Sequence, residues 1–157
     1  MAGIFQITPI KKELKIRLYL QRKFSGSNRN QMTVYTPSGT SFGIYAINDW
    51  TFWDSIAPTA KVIARGRGPQ FQAGVAGMEE SRWFNIFNLV FEDPSFKGST
   101  LKVMGATVTE DNSEWTIVGG SGEFTRAQGI IDKKTVQKTN DGDVLEINIH
   151  AFYAPLV

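Results

Sequence analysis

From residue 14 to residue 24 the chain reads Leu-Lys-Ile-Arg-Leu-Tyr-Leu-Gln-Arg-Lys-Phe, with apolar and polar side chains exchanging at almost every step. Successive side chains of an extended strand point to opposite faces, so this pattern builds a strand with one face in a core and the other in water. No stretch of the chain sustains the i, i+3, i+4, i+7 apolar stripe of a helix for three turns. A chain restricted in this way folds by pairing strands. Residues 83–91 form a dense aromatic run, as expected of a strand buried on both faces. Residues 101–104, 115–118, 129–136 and 144–152 read as further strands. Turn-forming clusters separate them: residues 25–30, Pro37-Ser38-Gly39, Asp93-Pro94, Asp111-Asn112-Ser113, Gly119-Gly120-Ser121-Gly122 and Asn140-Asp141-Gly142-Asp143. The last is a strong hairpin signal, because Asp-Gly tolerates positive φ and here joins two alternating runs. About eight strands joined mostly by short turns predict an all-β fold, an antiparallel up-and-down barrel, with a two-sheet sandwich as the alternative. A barrel of about eight strands has room for one small ligand. Arg65-Gly66-Arg67-Gly68-Pro69 is expected to bend a strand at a barrel corner.

Composition narrows the chemistry. A length of 157 residues suits one domain. With no cysteine and one histidine, His150, the chain has no disulfide framework, no thiolate chemistry and no multi-histidine metal site. The net charge of +2 comes from scattered residues, and the densest basic stretch, Lys11-Lys12-Glu13-Leu14-Lys15-Ile16-Arg17, reads as one solvated strand face. No nucleic-acid partner is therefore expected. No stretch approaches the roughly 20 apolar residues of a membrane helix, so no membrane partner is expected either. The first residues lack an apolar run after a basic start, and no Asn-x-Ser/Thr sequon occurs, which leads to the expectation of a cytoplasmic protein. Gly119-Gly120-Ser121-Gly122 lacks the Lys-Ser/Thr of a phosphate-binding loop and reads as a turn. Cofactors, metals and catalytic residues are not expected.

Six segments, in order, carry a resemblance to a known family: Leu18-Tyr19-Leu20-Gln21-Arg22, residues 87–91, Gly98-Ser99-Thr100-Leu101, residues 117–124, Ala127-Gln128-Gly129 and residues 142–149. Together they resemble the plant dirigent domain over residues 12–153. The resemblance implies an eight-stranded antiparallel barrel of the lipocalin-like, allene oxide cyclase-like type, assembled as a homotrimer. Members of that family guide the coupling of phenoxy radicals, made by a separate oxidase, toward one stereoisomer of a lignan. Some act instead on quinone methides, promoting ring closure with acid-base help. The absent secretion signal makes the chain similar to the N-terminal dirigent domain of grass chimeric jacalins, which are associated with defence. There the dirigent domain is joined to a jacalin-related lectin domain. On that view residues 1–157 are a single dirigent domain, and Ala154-Pro155-Leu156-Val157 begins a linker to such a lectin domain.

The chain departs from the family pattern at positions that matter for binding. The first strand ends in Gln21-Arg22 where the family has His-Asp, so a permanent cation replaces a carboxylate. Gln128 stands in place of the arginine of Ala-Arg-Gly. Glu123 keeps an acid after the glycine turn. Gln70 and Gln72 occupy places where active members put tyrosines, which exchanges phenol-stacking rings for amides that donate and accept. These polar replacements, with Asp49 and Asn148 to bind hydroxyls and Trp50 to stack on a pyranose face, lead to the expectation of a non-catalytic module. Its expected ligand is a carbohydrate, such as a cell-wall galactoside, in a polar groove of the barrel. Plainer readings stand beside it: Arg22 as a surface or interface cation, Gln70 and Gln72 facing solvent, Asp49 capping a turn, and Trp50 packing beside a loop. Phenoxy-radical steering is the alternative function, and a trimerising scaffold for an attached lectin is compatible with the first.

Overall fold

The computed structural model describes Gly3 and residues 11–75, 83–107 and 113–155. Asp111 and Asn112 of one expected turn, and Leu156 and Val157 of the expected linker, lie outside the described residues. Nine strands are present among those residues: β1 Lys12–Lys23, β2 Gln31–Tyr35, β3 Tyr45–Trp53, β4 Val62–Gln72, β5 Trp83–Phe91, β6 Thr100–Thr107, β7 Ser113–Ser121, β8 Gln128–Thr139 and β9 Gly142–Tyr153. They form one antiparallel sheet in the order β1-β9-β8-β7-β6-β5-β4-β3-β2, and a further β1–β3 pairing closes it. The closing register is Tyr19↔Trp53, Leu20↔Phe52 and Gln21↔Thr51. Eight strands therefore make the barrel. β2, in a stretch of turn residues and short apolar runs, is a ninth strand laid on the free half of β3, with Gln31↔Asn48 and Met32↔Ile47 opposed.

Closure converts alternation into inside and outside. Leu14, Leu18 and Leu20 of β1, Phe87, Leu89 and Phe91 of β5 and Ile147, Ile149 and Ala151 of β9 are buried, while their neighbours along each strand face out. The aromatic run of residues 83–91 obeys the same rule and is not buried on both faces. Ile86 is exposed, and Phe84 lies on the outer side against Phe71, ring centroids 5.6 Å apart.

The two ends of the barrel differ in chemistry. At the end that holds the start of β1 and the finish of β9, a one-turn 3-10 helix, Gly122–Phe124, drops the fully buried Phe124 into the opening. Phe91, Phe96 and Tyr153 surround it, with centroids 4.9, 5.0 and 5.1 Å from that of Phe124. Each such ring pair adds about 0.5–1.5 kcal/mol beyond its area burial, so this end is a tight plug. The inward positions of the opposite end include amides and charged groups among apolar ones.

The Asn140-Asp141-Gly142 signal marks a real hairpin, but for a different reason from the expected one. The two turn residues are Asn140 and Asp141, and Gly142 opens β9 without positive φ. Glycine is required there because a Cβ would sit 2.0 Å from the Arg22 carbonyl oxygen of β1. Gly68 meets the same kind of constraint in β4, where a Cβ would lie 2.1 Å from the Ile86 carbonyl oxygen. The β4–β5 register runs unshifted from Ala64↔Phe91 to Gln70↔Asn85. The glycines thus bring two backbones close together; they do not break the strand.

Gly68→Ala is expected to push β4 off β5, since backbone cannot yield as a side-chain tip can. A loss of about 2–4 kcal/mol in urea unfolding is the expected outcome, and an unchanged urea midpoint would refute this account of the strand.

Candidate functional site

The interior of the polar end is built from strand positions that alternation turns inward. β3 contributes Asn48 and Trp50, β4 contributes Gln70 and Gln72, β5 contributes Asn85, β7 contributes Trp115 and β8 contributes Lys133, all buried. Arg22, near the end of β1, and Asp143, near the start of β9, are registered opposite each other at the same end.

An aromatic wall forms its floor. The indoles of Trp50 and Trp115 stack with centroids 5.9 Å apart and planes 12° from parallel. Phe87 meets both edge-on, at 5.6 and 5.0 Å. The Trp50 indole N–H donates to Gln31 Oε1 of β2 at 3.0 Å, so the ninth strand reaches the interior through one side chain. Above the floor are amides. Gln70 Nε2 donates to Asn48 Oδ1 at 3.1 Å, and Gln72 Oε1 accepts from the Gly74 N–H at 3.2 Å. Among the described residues, two buried donors, Asn48 Nδ2 and Trp115 Nε1, have no hydrogen-bond partner. A buried donor left unsatisfied costs about 1–3 kcal/mol, so a ligand oxygen reaching either one would recover that energy.

The charges are arranged in two ways. The Arg22 guanidinium clasps Asp143 in a fork, Nε to Oδ1 at 2.7 Å and a terminal nitrogen to Oδ2, and both side chains are largely buried. The Arg22 cation is thus matched by a carboxylate from the neighbouring strand. Lys133 is 4% exposed, with its amine 3.9 Å from the centroid of the Trp115 ring. Burial, and secondly the Arg22 charge, pull its pKa from 10.5 down to about 7. A displacement of that size corresponds to about 4–5 kcal/mol between the two protonation states. The Trp115 face favours the charged form by only about 2 kcal/mol, so desolvation dominates.

The eight residues singled out from sequence do not converge on one groove. Arg22, Trp50, Gln70 and Gln72 share the interior of the polar end. Trp50 is not beside a loop: it is fully buried in the middle of β3 and offers no surface platform for a sugar. Asp49, on the same strand but the other face, is exposed and pairs with Arg67 at 3.0 Å and Arg65 at 3.8 Å. It caps no turn. Gln128 faces outward on β8. Asn148 lies on the outer face of β9, accepting from Arg17 Nε at 3.1 Å and donating to Glu146. Glu123 sits at the plugged end, 2.8 Å from Lys12 Nζ. Gln70 and Gln72 point inward, which resolves their register. Lys133, Trp115, Asn48, Asn85 and Asp143 were missed. Among the described residues no group of three or more His, Cys, Asp or Glu side chains is placed to hold a metal ion, and no helix is long and apolar enough to cross a membrane.

A closed antiparallel barrel with an aromatic plug at one end and a polar, aromatic-floored interior at the other belongs to a definite group of proteins. The model of the dirigent-like protein family matches residues 13–152, and the chain belongs to that family. Dirigent protein 11 of Arabidopsis thaliana is 26% identical over 155 residues, 95% of this chain and 79% of the relative. Pterocarpan synthase 1 of Glycyrrhiza echinata is 24% identical over 147 residues, 88% of this chain and 77% of the relative. The solved structure of the pterocarpan synthase dirigent protein GePTS1 superposes with a TM-score of 0.83 at 23% identity, covering 98% of this chain and 91% of that one, a likeness of fold.

The buried lysine makes stability depend on pH in a defined direction. Unfolded lysine holds its proton up to 10.5, whereas folded Lys133 releases it near 7, so between these values the unfolded state carries the extra proton and stability rises with pH. Below that window both states are protonated and the deficit is constant. From pH 7 to about pH 9 the gain should be about 2–3 kcal/mol by urea unfolding, and Lys133→Met should abolish it. A wild-type curve flat across the window would contradict the environment described for Lys133.

Proposed function

We propose that this chain is a dirigent protein that holds a planar phenolic ligand in the polar end of its barrel and orients it for stereoselective coupling. The oxidised phenol would be supplied by a separate one-electron oxidase. The observation that carries this reading is the Trp50–Trp115–Phe87 wall lying beside two buried donors without partners among the described residues, Asn48 Nδ2 and Trp115 Nε1. Indole faces stack on a flat ring, and the donors suit the phenolic and ether oxygens at its rim. Steering requires a fixed pose more than a reacting side chain, and rigid strand positions supply that. The dirigent and pterocarpan synthase relatives agree with it.

A second reading, a carbohydrate in the same interior, is favoured by one observation: Gln70 and Gln72 both point inward and present flat donor-acceptor amides. It no longer has Trp50 as a surface platform. Its companion proposals are assembly as a homotrimer and attachment to a jacalin-related lectin domain, for which sedimentation velocity and the full-length transcript are the respective tests.

Coniferyl alcohol oxidised by a laccase in the presence of the protein should give coupled product with an enantiomeric excess. Asn48→Ala and Gln70→Ala should move that excess toward zero without slowing oxidation. Racemic product at every protein concentration would refute the phenolic reading. Galactosides that shift in ligand-observed NMR while coniferyl alcohol does not would favour the carbohydrate.

A further inference from the structure

The seam that closes the barrel has an outer face, and a groove lies on it. β1 pairs with β9 along its whole length but with β3 only through Tyr19, Leu20 and Gln21. Leu20 and its partner Phe52 point inward and are fully buried, so alternation turns Tyr19, Gln21 and Trp53 outward. With Ile56 and Pro58 of the β3–β4 loop and Gln137 of β8 they line a groove of about 290 Å3, near the small end of ligand sites. The loop is fixed in place. The Asp54 N–H donates to the Lys61 carbonyl oxygen at 3.0 Å and the Lys61 N–H to Asp54 Oδ1 at 2.9 Å, which closes its base. At its tip the Ala60 N–H donates to the Ala57 carbonyl oxygen at 3.0 Å, a β-turn with Pro58 at the position whose φ proline presets. This loop holds Ile56 out as an exposed lip. Trp53 Nε1 donates to Thr51 Oγ1 at 3.0 Å, which holds the indole along its strand.

The geometry points to this groove as a binding site for a neutral, planar ligand of one aromatic ring, a phenol or phenyl ether in class, that clamps the closing seam from outside. The inference goes beyond the interior site and does not rest on it. Every residue that lines the groove is uncharged, which suits a neutral ligand. Aromatic side chains from the strands and aliphatic ones from the loop border the same space, so both faces of a flat ring find apolar surface. A sugar carries hydroxyls around its ring and would gain from carboxylates and guanidinium forks, which this lining lacks. The amides of Gln21 and Gln137 offer donors to hydroxyl and ether oxygens at the edge of the ring. A ligand seated there touches β1, β3 and β8 at once, across the short β1–β3 pairing. Because it binds the closed seam and not the open one, it stabilises closure by mass action. One ring in an open groove gives roughly millimolar affinity.

The test titrates the isotopically labelled whole chain with 2-methoxyphenol, read by NMR, with amide hydrogen exchange measured in parallel. The expected result is a saturable shift of the Trp53 indole N–H and the Ile56 methyl signals. The Trp50 and Trp115 indole signals report separately on the interior. Ile56→Asp puts a charge on an exposed lip and leaves the core alone, and it should weaken binding at Trp53 by about tenfold or more. At a ligand concentration about ten times the dissociation constant, the amides of residues 19–21 and 51–53 should exchange about tenfold slower, while those of β6, across the barrel, keep their rates. Silence at Trp53 and Ile56 would overturn the groove, and shifts at Trp50 and Trp115 in the same titration would leave interior binding standing. A Trp53 shift undiminished by Ile56→Asp would overturn it as well. Unchanged seam exchange with the groove saturated, or equal slowing on β6, would overturn the clamp. A methyl galactoside that shifts Trp53 where 2-methoxyphenol does not would overturn the ligand class.

Discussion

Three residue pairs decide what this molecule is. Where Tyr19, Leu20 and Gln21 meet Trp53, Phe52 and Thr51, the sheet closes on itself, and from that seam follow an inside, an outside and two ends. An open sheet of the same strands would leave β1 and the Thr51–Trp53 end of β3 without a partner strand and expose one face of the sheet to solvent. Once closed, each strand's alternation becomes a decision about which side chains share a small dry volume. Leu20 and Phe52 belong both to the seam and to the core cluster, so closure and core packing support each other.

Within that volume, apolar and polar demands are separated by height. The Phe124 end is filled by apolar side chains, the rings of Phe91, Phe96, Phe124 and Tyr153 with Leu14, Ala127 and Ala151. The other end holds amides, a forked ion pair and a lysine, all placed on strands and not on loops. Strand positions are rigid, so these groups keep their geometry with or without a ligand, and their desolvation has already been met by folding. The aromatic floor between the two layers serves both: its lower side belongs to the core and its indole faces belong to the site. The same indole that packs against Phe87 is held by Gln31 of β2, which ties the added strand to the interior.

Much of the fold was legible from the chain. Clean alternation at residues 14–24 and 144–152 gave correct strands, and the glycine turn at residues 119–122 fell at the end of β7. The stretch around Trp50 misled because Asn48-Asp49-Trp50-Thr51 is polar enough to read as a loop. Its true period is Ala46, Asn48, Trp50, Phe52, an inward face that includes an amide. Lys133 was hidden by an ambiguity of phase. Ile130 and Ile131 are both apolar, and only the structure shows that Ile131 points inward and takes Lys133 with it. Glu123 and Arg22 each suited a site, but the sequence does not say at which end of a barrel a residue lies, and they occupy opposite ends. Asp49, Gln128 and Asn148 lie on the outer face for a simpler reason, since one residue of offset turns a side chain through the wall.

The Phe124 plug makes the barrel a blind tube. A ligand that enters the interior would have to arrive and depart through the polar end. Two phenols that are to be joined cannot lie side by side along such a tube unless the outer one waits at the rim. On the phenolic reading, the first arrival would be held by the aromatic floor and its partner by Arg22 and Asp143 nearer the rim. Handedness would then be set by the angle at which a seated molecule presents itself to a passing one, and turnover by how fast the enlarged product can back out.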